Sequence, residues 1–274
     1  MEFHELQQMC RRAATYTCSQ TKLTLSAVTL AACGLMVVMA MGLSLKANDW
    51  FSLSLAFMPL FVIASVLTTL GVVLIQGYRD EVKYENASYR DLLLISWKHL
   101  IRASYFFLPL MLAYLFLWII LGLFFLLREI PAFGEFFGVI LAFGPFLLLF
   151  GSLLLSVLAV FLSFVVSPVI ALKKIEGFEL VQYMQERLQT NVFARVCLFC
   201  LASVPLAATA FLLLIAAHLT TSLYTVSENH MQMVLQWFFI MIPFATILSP
   251  AVVFFYNLAA ETHIYIQKKI GQIK

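Results

Sequence analysis

Charge is what this chain has least of. Only 11% of its 274 residues are Asp, Glu, Lys or Arg, while 63% are hydrophobic; a soluble domain carries roughly 25% and 45–50%. A chain so composed has too little polar surface to cover a soluble core. Its few charges also avoid the centres of its apolar runs. Proton-coupled transporters, pumps and voltage sensors need ionisable groups at membrane depth, because a pathway must bind or relay its ion. Their absence speaks against those classes. The parts of an enzyme are missing as well. There is no Gly-rich phosphate loop, and no paired aspartates, Ser–His or Ser–Lys pair or His-x-x-Glu site lies at membrane depth. The five histidines, His4, His99, His218, His230 and His263, sit at run ends or in tails. No catalytic residue, cofactor or metal ligand is expected, and nothing points to nucleic acid. Cysteine is sparse too. Cys10, Cys18, Cys33, Cys197 and Cys200 are an odd set; Cys197-x-x-Cys200 has no second pair, so packing is the expected role.

What is present is length of apolar run. Six stretches, about 24–45, 53–76, 104–127, 136–170, 196–221 and 232–260, reach the roughly 20 residues that span a bilayer. Within hydrocarbon every backbone amide must pair inside the protein, so runs this long must be helices; a barrel would alternate in polarity over about ten residues. The first run, at about 22 residues, exceeds the usual 7–15 of a signal peptide and lacks a small-x-small cleavage site, so it reads as a mature span. Lys and Arg concentrate in cytoplasmic loops. Fifteen of the seventeen fall in the N-terminus, residues 77–104, residues 171–195 and the C-terminus, leaving Lys46 and Arg128 opposite. The expectation is a six-span all-α protein of the bacterial cytoplasmic (inner) membrane, in three helical hairpins, with both termini inside.

Between the fourth and fifth runs lies an amphipathic segment. Ile175, Phe178, Val181, Met184, Leu188 and Val192 form one stripe at steps of three and four, with Glu176, Glu179, Gln182 and Glu186 opposite. Such a helix beside a membrane lies in the interface or packs on the spans. Tyr89, Leu93, Trp97 and Leu100 repeat the device before the third run, after a capping box at Ser88–Asp91. Phe3, Leu6, Cys10 and Ala13 repeat it before the first. "LAFMP" at 55–59 and "LAFGP" at 141–145 stand 86 residues apart, the same offset as Phe3 to Tyr89. Within one polytopic domain, these matches suggest pseudo-repeats at 1–80, 81–172 and 173–274, each an amphipathic helix and two spans. Units that cross twice share one orientation about an axis along the membrane normal.

Inside the runs the polar residues are mild, among them Ser152, Ser156, Thr246 and Asn257, which usually let helix backbones approach and add modest hydrogen bonds. Proline removes a backbone donor and kinks its helix; plain kinks are the favoured reading, with Pro59, Pro145, Pro168, Pro243 and Pro250 as candidate helix breaks. The long fourth run must tilt, bend at Gly144-Pro145 or divide there.

"FVVSPVIALKKIEGFELVQYMQERLQTN" and "SPAVVFFYNLAAETH" resemble segments of uncharacterised bacterial six-span proteins related to the membrane domain of glycerophosphoryl diester phosphodiesterases. The resemblance covers mainly residues 160–263. It implies a membrane-embedded accessory domain near lipid or envelope metabolism, and carries over no catalytic residue. The expected function is a non-enzymatic accessory or scaffold module with a basic amphipathic cytoplasmic rim. Its partners would be membrane lipids, anionic ones first, or a protein at the cytoplasmic face, with oligomeric state left open. Candidate headgroup or partner contacts are Arg11, Arg12, Arg90, Lys98, Arg102, Lys173, Lys174 and Arg187, each worth about 1 kcal/mol near an anionic surface. The alternative is a permease or transporter subunit for a neutral or lipid-like solute. It would need a polar midplane cavity lined by Ser152, Ser156, Thr246 or Asn257.

Overall fold

The computed structural model describes residues 3–44, 49–83, 89–128, 143–172, 192–223 and 230–271. The regular elements among them are helices: α1 (Phe3–Thr15), a 3-10 turn (Tyr16–Cys18), α2 (Gln20–Ser44), α3 (Asp49–Lys83), α4 (Tyr89–Arg128), α5 (Phe143–Leu172), α6 (Val192–Leu223) and α7 (His230–Gly271). The six from α2 to α7 are long and apolar enough to cross a membrane, one for each expected run.

The first break has a local cause. Thr17 donates to the carbonyl of Ala13 at 2.7 Å, closing the end of α1. Ser19 then takes an extended backbone with ψ of 116°. Its carbonyl accepts the Leu23 amide at 3.1 Å, which is the N-cap geometry that starts a new helix. So α1 is a separate helix, as its stripe predicts. Its buried side is set by Met9, which lies off the expected stripe, and by Ala13 on it; Leu6 and Cys10 are half-buried, and α1 packs on α7.

The second amphipathic segment is not separate. Residues 89–102 belong to α4, a single helix of 40 residues, about 60 Å long. Nothing between Trp97 and Phe106 is Gly or Pro, so the helix has no reason to stop. A helix continuous with a span leaves the membrane along it instead of turning to lie flat. The third segment, 175–192, lies outside the described residues except for Val192, which opens α6.

The prolines do not break helices. Pro59, Pro168, Pro243 and Pro250 lie within uninterrupted helices, as do Pro109 and Pro205. Pro145 is the third residue of α5, in the first turn, where an amide would lack an intrahelical partner anyway. From Phe143 onward the fourth run is one helix.

Packing follows a cyclic order. α3, α5 and α7 touch one another. Around them, α2 lies against α3 and α7, and α4 against α5 and α3. α6 lies against α7 and reaches α5 through Phe199, edge-on to Phe161 and Phe164 at 5.2 and 5.7 Å between ring centres. The larger core cluster joins Leu70–Tyr78 of α3, Phe164–Ala171 of α5, Val252–Ala260 of α7 and the buried side of α1. All of these lie toward the end of the bundle where α3, α5 and α7 finish. Toward the other end, side chains such as Leu43, Phe146, Leu154, Phe211 and Phe239 are exposed, as expected where helices face lipid.

Candidate functional site

Ionisable and polar side chains gather at the tightly packed end, here called the charged end. α7 carries two faces there. Asn257, Glu261 and Tyr265 recur at steps of four and so share one face. Asn257 donates to the Ala13 carbonyl at 3.3 Å. Glu261 accepts from the Tyr78 hydroxyl on α3, and Tyr265 donates to Glu5 of α1 at 2.9 Å. This face therefore clamps α1 and α3 onto α7. Next to it Lys22, at the start of α2, reaches Glu81 at the end of α3 at 2.5 Å; the lysine is 5% exposed and the glutamate 34%. The Lys22 ammonium also lies 5.3 Å from the centre of the Tyr78 ring, which meets Tyr16 edge-on at 5.4 Å. A buried ammonium is tolerable only when paired and hydrogen-bonded, and both conditions are met.

The opposite face of α7 carries Ala259, Thr262, His263 and Ile266, again at steps of three and four. With Phe164, Val165, Pro168 and Val169 of α5 and Arg195 of α6 they wall a cleft of about 360 Å³, measured out to its mouth. Arg195 is 6% exposed. Thr262 spends its proton on the Leu258 carbonyl at 2.7 Å, and the Nε2 atoms of His263 and Gln267 lie 2.8 Å apart.

Deeper in, one hydroxyl joins the three inner helices. Tyr256 of α7, 3% exposed, donates to the Leu67 carbonyl of α3 at 2.7 Å. Its single proton is then used, so the Ser163 hydroxyl of α5, 2.8 Å away, donates to it. One turn on, Ser167 bonds the Ser163 carbonyl at 2.7 Å and the Thr68 carbonyl of α3 at 3.3 Å. Gly71 of α3 lies directly against the Tyr256 ring, closer than any other side chain would allow.

The residues singled out from sequence are scattered by comparison. Arg11 and Arg12 are exposed on α1, opposite its buried stripe. Arg90, Lys98 and Arg102 lie on the first half of α4. Lys173, Lys174 and Arg187 lie outside the described residues. Of the four residues a midplane cavity would need, Ser152 and Asn257 are buried and Ser156 bonds the Ser152 carbonyl. Thr246 is exposed and bonds its own helix. They do not converge. Cys197 and Cys200 are exposed, not packed as expected, because α6 turns Arg195, Leu198 and Ala202 inward instead. Sequence reasoning missed Arg195, the Lys22–Glu81 pair and Glu261. Lys22 and Arg195 count in the sequence only as span-flanking cations, and Glu81 and Glu261 carry no signal beyond their place within one or two turns of an apolar run. Comparison with known protein families, with curated proteins and with solved structures finds no match for this chain.

Proposed function

We propose that the chain is a non-enzymatic accessory or scaffold module of the bacterial inner membrane, near lipid or envelope metabolism. Both termini face the cytoplasm, and the charged end engages anionic lipid or a protein partner. The Tyr256 junction carries this reading. A permease needs a route between its inner helices. Here the meeting point of α3, α5 and α7 is closed by a phenol hydrogen-bonded to both neighbours and packed against glycine. The ionisable groups around it are spent on joining helices, which is the use a scaffold would make of them.

The orientation is supported by the Lys and Arg asymmetry of the sequence. The threefold repeat is supported by the cyclic packing. Each unit's first span lies on its own second span, and α2 and α4 lie likewise on the second span of the preceding unit, as copies about one axis would; α6 meets α5 through the Phe199 ring contacts.

The test is reconstitution. Vesicles holding the purified protein should release glycerol and small neutral sugars no faster than protein-free vesicles; saturable flux would sink the scaffold reading. Tags at either end should resist protease added outside intact cells.

A further inference from the structure

The seating of α1 shows how this fold accommodates an amphipathic segment. Asn257 donates to the Ala13 carbonyl at 3.3 Å, and Tyr265 donates to Glu5 at 2.9 Å. Later residues of α7 thus meet earlier residues of α1, so the two helices run in opposite directions. The turn after α1 brings Tyr16 onto Tyr78 of α3. The seat is therefore the crevice between α7 and α3, beside the start of α2, which itself lies against both. Met9 and Ala13 are the side chains that α1 buries there.

Turning the bundle by one unit carries α2 to α6, α3 to α7 and α7 to α5. The matching crevice lies between α5 and α7, beside the start of α6. The cleft stands at that place: Pro168 and Val169 of α5 line it with Ala259 and Ile266 of α7, and Arg195 joins them from the first turn of α6. Arg195 and His263 are both engaged already. The cleft therefore calls for an apolar occupant and not for an ion.

The chain itself supplies one. It leaves α5 at Leu172, three residues past Val169, and enters α6 at Val192, three before Arg195. The nineteen residues between, 173–191, lie outside the described residues, and both ends of that stretch border the cleft. Their sequence matches α1. "LQQMCRR" at 6–12 and "VQYMQER" at 181–187 share Gln, Met and Arg at an offset of 175. The same offset carries buried Met9 to Met184 and Ala13 to Leu188, both on the apolar stripe of the segment. Register follows from the core. Phe255 meets Phe164 at 5.1 Å between ring centres, and Tyr256 meets Ser163, which sets Asn257 level with Val165 of α5. What Ala13 is to Asn257, Leu188 becomes to Val165, and Met184 falls one turn further along, at Val169.

We propose that residues 175–191 dock in this cleft as a helix running against α5, with Leu188 at Val165 and Met184 at Val169. The proposal rests on the threefold arrangement inferred above and on neither a lipid nor a transport role. It can therefore fail while the scaffold reading stands.

The test is disulfide trapping in native membranes, on the full-length chain with its five cysteines replaced by serine. A bridge needs Cα atoms within about 7 Å, so Val169→Cys with Met184→Cys should close within one chain at least about tenfold faster than Val169→Cys with Gln182→Cys. Gln182 matches Gln7, which is exposed on α1. Val165→Cys with Leu188→Cys should behave as the first pair does. Equal rates for the Met184 and Gln182 pairs would overturn the proposal, as would bridges joining two copies of the chain. No bridge, with Met184→Cys reacting only with a lipid-soluble maleimide, would place the segment flat in the membrane and overturn it too. Should Val169→Cys not fold, a benzophenone amino acid in place of Met184 decides in the otherwise native chain. Cross-links to residues 164–169 and 259–266 support the docking, and cross-links to lipid or to a second copy refute it.

Discussion

Gly71→Ala adds one methyl group where α3 crosses α7. An ideal Cβ there would lie 2.2, 2.5 and 2.7 Å from three carbons of the Tyr256 ring, whereas carbons rest at about 3.5–4.0 Å. The ring must therefore retreat by more than about 1 Å. Its hydroxyl resists, held by Leu67 at 2.7 Å and Ser163 at 2.8 Å. Overpacking of a tight core costs about 1–3 kcal/mol, and two strained membrane hydrogen bonds add about 0.6 kcal/mol each. Alanine returns about 1 kcal/mol of helix propensity. The net expectation is a loss of about 2 kcal/mol. Thermal unfolding in detergent, followed by tryptophan fluorescence, should show Tm lowered by about 4–8 °C if the usual 2–4 °C per kcal/mol for a chain near this size holds. The cause is checked by a second background. With Tyr256→Ala already in place the clash is gone, and the added Gly71→Ala should be neutral or stabilising. An unchanged Tm for Gly71→Ala alone, or the same loss in both backgrounds, would refute the close approach of α3 to α7 and with it the sealed junction.

Three further outcomes follow from the same geometry. Tyr256→Phe keeps the ring and removes both hydroxyl contacts, so it should cost about 1 kcal/mol; Ser163→Ala should cost about as much, and the double variant less than their sum in the same melt. Lys22→Met strips Glu81 of its partner and should cost about 1–3 kcal/mol, while adding Glu81→Gln should recover most of the loss because the stranded charge is gone; a melt showing no recovery would count against the pair. Burial raises the Cys10 thiol above its ordinary pKa, and the thiolate is the reactive form. In single-cysteine proteins a maleimide should therefore label Cys10 more slowly than exposed Cys18, with the Cys10 rate still climbing at alkaline pH; equal rates at pH 7 would contradict the docking of α1.

Span number was legible because hydrocarbon imposes it: a run of twenty apolar residues has no other stable fold at that depth. Packing was not legible, for a related reason. In a soluble helix the buried stripe differs in polarity from the exposed one, but in a membrane both are apolar. Leu154 and Phe164, on one helix, read alike in sequence, and only the second is buried. The surviving cue is size and hydrogen bonding, small or hydroxylated residues at helix crossings. Gly71, Ser163, Ser167 and Ala260 carry it, yet such residues are too common in membrane spans to mark one crossing. The charged end escaped for a different reason. Positive-inside reasoning counts charges per loop and assigns each to solvent, so Lys22, Glu81, Arg195 and Glu261 passed as flanking charges. In the fold their helices continue past the apolar run, α7 as far as Gly271, and carry those groups into contact with one another. Tyr78 makes this tolerable for Glu261, and Glu81 does so for Lys22. Spans that outlast the hydrocarbon thus join the part of the protein set by lipid to the part set by pairing.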